Sequence, residues 1–129
     1  MMRNNFDITD VEGLVSDAVR ALGFTRVWNN RPKATEDSVS DFVVVKVSGG
    51  IFDMAAYGHC RVTVWLYARD IKEMKNSKKL SVMQKKLKDL PLWIEPLLIE
   101  GNPRVVGDTA DDFGFHTRII NYKAFIKSK

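Results

Sequence analysis

The chain has 129 residues, 45% hydrophobic and 28% charged, enough for one domain with its own core and far from the composition of a disordered protein. Cys60 is the only cysteine, which excludes an internal disulfide framework, and no apolar run approaches the roughly 18 residues that a membrane-spanning helix needs. The net charge of +4 permits an anionic partner without requiring one. Residues 1–10 lack the apolar stretch of a signal peptide, so the expectation is a soluble cytoplasmic protein in a reducing compartment.

Residues 10–22 read as the first helix. Thr9 and Glu12 have capping-box spacing, Val11, Leu14, Val15, Ala18, Val19 and Leu22 form one apolar face, and Gly23 supplies the left-handed stop. Residues 24–28 look like a short strand. Residues 29–40 are polar, contain Pro32, begin with a turn at Asn29-Asn30 and read as a mobile loop. Phe42-Val43-Val44-Val45 and Val47 make residues 41–48 a buried strand that stops at Gly49-Gly50.

Residues 59–69 alternate. Cys60, Val62, Val64, Leu66 and Ala68 share one face; His59, Arg61, Thr63, Trp65 and Tyr67 share the other. The second row carries two aromatics, Trp65 and Tyr67, which need cover from a helix or another subunit. Between these strands, residues 49–58 contain Ile51, Phe52, Met54, Ala55, Ala56 and Tyr57, unusually apolar for a loop. That segment either extends the hairpin or meets a partner.

A second helix is predicted over residues 77–90, with Leu80, Met83, Leu87 and Leu90 on its apolar stripe and Pro91 ending it. Residues 92–99 are apolar but broken by Pro96, and their pattern assigns neither helix nor strand. Residues 104–107 and 115–126 read as a hairpin around residues 108–114. No internal repeat or linker interrupts the chain. Together these elements predict an α+β domain: a mainly antiparallel sheet with two helices packed on one face.

Charge is unevenly placed. Lys72, Lys75, Lys78, Lys79, Lys85, Lys86 and Lys88 crowd around the second helix, while Asp108, Asp111 and Asp112 gather near the last turn. Such polarity suits head-to-tail docking between copies or onto a charged partner.

Chemistry-bearing residues are sparse. His59, Cys60 and His116 cannot assemble a closed zinc site of the usual kind within one chain, and neighbouring strand positions point His59 and Cys60 to opposite faces. Cys60 and His116 as a nucleophile pair lack any recognised surrounding motif, and Cys60 shares its face with valines as a packed residue does. Asp108, Asp111 and Asp112 lack the glycine and glutamate spacing of an EF-hand, and Gly49-Gly50 lacks the lysine or helix of a phosphate loop. No catalytic, cofactor-binding or metal residue is therefore assigned, and the chain is expected not to be an enzyme. A rival reading makes it a small basic nucleic-acid-binding module that uses Lys78, Lys79, Lys85 and Lys86.

The loop ending in Tyr57-Gly58 before Val62-Thr63-Val64-Trp65-Leu66-Tyr67, and Asp112-Phe113-Gly114-Phe115-His116-Thr117-Arg118 before Tyr122-Lys123-Ala124-Phe125, give the chain a further character. In these segments and in its order of elements it resembles the tail-completion or tail-terminator proteins of long-tailed bacteriophages and prophages. The resemblance implies a non-enzymatic structural protein that caps the tail tube as a ring, usually of six copies, and prepares it to join the head. Its partners would be tail-tube and head-tail connector proteins, with no membrane and no cofactor, and its location the cytoplasm during assembly and then the virion tail. The residues expected at the subunit boundary are Ile51, Phe52, Met54, Tyr57, Trp65, Tyr67, Asp108, Asp111 and Asp112, through edge strands and the loops 51–58 and 108–114.

Overall fold

A computed structural model describes residues 8–30, 39–48, 57–72, 74–110 and 114–127. The elements follow the order α1 (Ile8–Ala21), β1 (Val27–Trp28), β2 (Asp41–Ser48), β3 (Tyr57–Arg69), α2 (Ser77–Leu87), β4 (Trp93–Ile94), β5 (Leu97–Ile99), β6 (Arg104–Ala110) and β7 (Phe115–Lys127). The strands form one sheet in the order β1, β2, β3, β7, β5, β4, and β6 also pairs with β7. Only β1 and β2 run parallel; every other pairing is antiparallel. The predicted α+β class is the one observed.

The sheet is built on β3 and β7, thirteen residues each and paired from Tyr57↔Lys127 to Arg69↔Phe115. Strict alternation sends Cys60, Val62, Val64, Leu66 and Ala68 of β3 to one face, with Ile120, Tyr122, Ala124 and Ile126 of β7 beside them, all at most 8% exposed. Val11, Val15 and Val19 of α1 and Leu80, Met83 and Leu87 of α2 pack on this same face in one apolar cluster. Both helices therefore cover one side of the sheet, as the periodicity of their apolar residues predicts.

The helix ends differ from expectation in instructive ways. α1 begins at Ile8, so Thr9 lies inside the helix and is not its cap. Glu12 does not reach back to the first turn; its Oε2 accepts from the Val47 backbone N–H at 2.9 Å. That bond belongs to a series along the outer edge of β2, which β1 is too short to cover. Val43 N–H donates to the Arg26 carbonyl at 2.9 Å, and the Val45 carbonyl accepts from Asn29 Nδ2 at 3.2 Å. Side chains thus complete the ladder where the edge strand runs out. Gly23, at φ +106°, ends α1 in the left-handed region, its N–H donating to the Arg20 carbonyl.

α2 starts on Asn76, whose side chain accepts from Lys79 N–H at 3.2 Å, and ends at Leu87, three residues short of the predicted Leu90. The N–H groups of Lys88, Asp89 and Leu90 each bond the carbonyl three residues back, a tighter turn that keeps Leu90 buried before Pro91. The predicted strand over residues 24–28 shrinks to Val27–Trp28, and residues 92–99 become a small hairpin, β4 and β5, reversing at Glu95-Pro96. β6 extends to Ala110, with a register shift between Val106 and Thr109, so Asp108 belongs to a strand and not to the turn. The loop read as mobile over residues 29–40 lies largely outside the described residues, as do residues 49–56 of the apolar loop.

Candidate functional site

The opposite face of the sheet carries no helix among the described residues, and its composition changes along the strands. Reading across β2, β3 and β7, one half is aromatic. Phe42 is 1% exposed and stacks on Tyr67 with centroids 4.3 Å apart; Trp28 and Phe115 approach the same ring at 4.9 and 5.1 Å. Val39, Val44 and the half-buried Trp65 complete this second cluster. Arg69 lies over Phe115 at 4.5 Å and its Nε donates to the Val39 carbonyl at 2.8 Å, closing the end. Tyr67 thus finds partial cover from Phe42 and Phe115, and Trp65, opposite Val44 and Ile119, packs partly buried against the same cluster.

The other half is charged. Beyond the Thr63–Asn121 side-chain bond at 2.9 Å, Arg61 and Lys123 stand directly opposite each other on β3 and β7, and Arg104 of β6 pairs with Asn121. Like charges directly opposite one another destabilise a strand pair, and among the described residues no carboxylate forms an ion pair with either cation. Arg61, Arg104 and Lys123, together with Glu100, Asn102 and Asn121, line a recess of about 410 Å³. Past this band, the pairings His59↔Phe125, Phe125↔Leu98 and Leu98↔Trp93 set one row across β3, β7, β5 and β4. Its members stay accessible: Trp93 is 50% and Leu98 45% exposed, and the His59 ring meets Phe125 edge-on at 4.9 Å.

The residues singled out from sequence fare unevenly. Ile51, Phe52, Met54, Asp111 and Asp112 lie outside the described residues, while Tyr57 and Asp108 are placed as backbone positions of β3 and β6. Of the four lysines proposed to meet phosphates, Lys78 and Lys85 are exposed on α2, but Lys79 pairs with Asp41 at 3.7 Å and Lys86 sits over Phe24 at 5.1 Å. The helix lysines do not act as one free patch. A second cationic cluster, Arg61 with Arg104 and Lys123, was not singled out from sequence. Its members lie far apart in the chain, and only the β3–β7 and β6–β7 registers bring them together.

His59 is exposed and Cys60 buried, on opposite faces as strand alternation requires. Burial pushes the Cys60 thiol up to about 11, away from nucleophilic character. His116 is opposite Ala68, eight positions along β3 from Cys60, or roughly 26 Å at strand rise, so the two cannot form a pair. His116 Nδ1 instead meets Asp70 Oδ1 at 2.6 Å. Among the described residues no three His, Cys, Asp or Glu side chains gather as a metal site, and no helix is long and apolar enough to cross a membrane.

The fold has a structural counterpart. A solved structure that bears only a sequence identifier as its name matches with a TM-score of 0.56 at 14% identity, over 91% of this chain and 90% of that one. At that identity the likeness extends to the fold alone. No protein-family model matches the sequence, and no curated protein does.

Proposed function

We propose that the protein is a non-enzymatic assembly subunit that joins copies of itself head to tail into a ring, through the open edge of β6. The observation that carries this reading is the strand itself. Its seven residues, Arg104–Ala110, run along β7 on one side, five of them in register, and among the described residues nothing pairs with the other side. Val105 is 44% and Val106 37% exposed along it. Soluble proteins normally blunt such an edge; here Arg104, Asp108 and the register shift after Val106 flank a short exposed apolar step, Val105-Val106, that is open to strand addition. A contact between two unlike patches closes into a ring when the rotation allows.

The resemblance to phage tail-completion proteins gives this ring its proposed identity: a hexamer that caps the tail tube and takes part in head-tail joining, with tail-tube and connector proteins as partners. It would be cytoplasmic during assembly and part of the virion tail afterwards. Light scattering across a range of concentrations tests the reading. The expected result is a rise in mass towards a closed oligomer, abolished in Val105→Lys/Val106→Lys, which adds edge charge at exposed positions without opening the core. A chain that stays monomeric throughout and does not cap a cognate tail tube overturns it.

A further inference from the structure

We infer that the charged half of the open sheet face binds single-stranded nucleic acid, its phosphates on Arg61, Lys123 and Arg104 and its bases against the row of His59, Phe125 and Trp93. The site borders the proposed edge contact, since Arg104 opens β6, but Arg61, Lys123 and the aromatic row lie on other strands and their binding does not depend on ring formation.

Two independent features meet there. The first is an excess of positive charge. Arg61 and Lys123 face each other across β3 and β7, Arg104 stands on the far side of β7 beside Asn121, and among the described residues Glu100 is the one carboxylate in the recess they line. Cross-strand neighbours lie about 5 Å apart, and a like-charged pair at that spacing gains from a bridging anion. Asn121 adds a donor: its Oδ1 already accepts from Thr63 at 2.9 Å, which leaves its Nδ2 hydrogens for a ligand oxygen.

The second feature is the accessible aromatic surface one row further along the strands. Rows on one face are spaced by two residues, roughly 6.7 Å, so the aromatic row borders the cationic one. Trp93 is half exposed although the domain has an apolar core to hold it, and the His59 and Phe125 rings sit beside it across Leu98. A small oxyanion would satisfy the cations and leave the rings idle. An acidic peptide would do the same. A ligand that repeats a negative charge and a flat ring along its length uses both, which is how sheet faces hold single strands. A duplex offers its bases no such access.

The full-length protein titrated into a fluorescein-labelled oligothymidylate of about ten nucleotides tests this directly. Binding is expected to weaken with salt at a log–log slope near −2, about 0.7 for each of three phosphates, and Arg61→Gln/Lys123→Gln is expected to bring that slope to about −0.7. Trp93→Ala is expected to weaken binding about tenfold or more, and Trp93→Phe to restore most of it, since a ring and not the indole N–H is required. Lys78→Gln/Lys85→Gln on α2 is expected to leave affinity within about threefold. All substituted positions are exposed, so a matched urea midpoint confirms that each variant is folded. Four results overturn the proposal: no binding near 50 mM salt, equal competition by polyglutamate, preference for duplex over single strand, or a larger loss from the α2 variant than from the sheet variant.

Discussion

Phe42→Ala tests whether the face opposite the helices is a second core. The ring is 1% exposed and touches Trp28, Tyr67 and Phe115 with centroids 4.3 to 5.1 Å apart. Truncating a buried phenylalanine costs about 3–5 kcal/mol, a range that already contains the ring-to-ring contribution of about 0.5–1.5 kcal/mol per pair. The upper part of that range is expected here, because Tyr67 and Trp28 are held by β3 and β1 and cannot collapse into the gap. Phe42→Leu keeps most of the apolar volume and should cost about 1–2 kcal/mol. Trp93→Ala, on the same face but half exposed, should cost no more than about 1 kcal/mol. Urea unfolding followed by circular dichroism reads all three from the midpoint at constant slope, and Phe42→Ala should move it by roughly 2 M. If Phe42→Ala costs less than about 1.5 kcal/mol, or Trp93→Ala costs as much, the division of this face into a packed half and an accessible half is wrong.

Glu12→Ala strands the Val47 amide and should cost about 1–2 kcal/mol, whereas Glu12→Gln keeps an acceptor and should cost less than half of that; equal losses would show that the carboxylate does not complete the β2 edge. Cys60 should resist alkylation in the folded chain near pH 8, at least about a hundredfold slower than a free thiol, because its pKa is held at about 11. Burial also pushes Tyr122 up to about 12 from 10.0, as it pushes Cys60 up from 9.0, so the folded chain keeps both protons where the unfolded chain releases them. Their contribution is intact below about pH 9 and is lost as pH rises towards 12, at most about 2–3 kcal/mol each. Urea midpoints across that window should fall less steeply for Tyr122→Phe than for the parent chain.

Much of the fold is legible because burial on one side imposes a period. Val11, Val15 and Val19 mark a helix face, and Cys60 to Ala68 mark a strand face, with no reference to their partners. Where two conformations satisfy the same burial, the pattern stops discriminating. Leu90 is buried beside Met83 and Leu87 whether the chain continues as a helix or tightens after Leu87, so the predicted helix overran by three residues. Thr9 and Glu12 have the spacing of a cap, but Glu12 has a competing acceptor role at Val47, 35 residues away, which no local pattern contains. The apolar run from Leu92 to Ile99 conceals a reversal at Glu95-Pro96 that puts Leu97 and Ile99 in the core and leaves Trp93 and Leu98 outside.

Register explains why the accessible half of the sheet face was harder to see than the fold. Composition advertises cations where they are adjacent in sequence, so Lys78, Lys79, Lys85 and Lys86 draw attention, yet adjacency on a helix scatters them around the axis and lets Asp41 and the Phe24 ring engage two of them. Arg61, Arg104 and Lys123 are solitary in the sequence and become one cluster only because Arg61 is opposite Lys123 and Arg104 is opposite Asn121. Slipping β7 against β3 by one residue would turn Lys123 towards the helices and bury it among valines and leucines, at a cost no surface contact repays. The core on one face therefore fixes the register, and the register gathers the charges on the other. A charge cluster assembled in this way persists in the folded chain even without a ligand, since it is the helix-side packing of Val62, Val64, Ile120 and Tyr122 that holds Arg61 and Lys123 opposite each other.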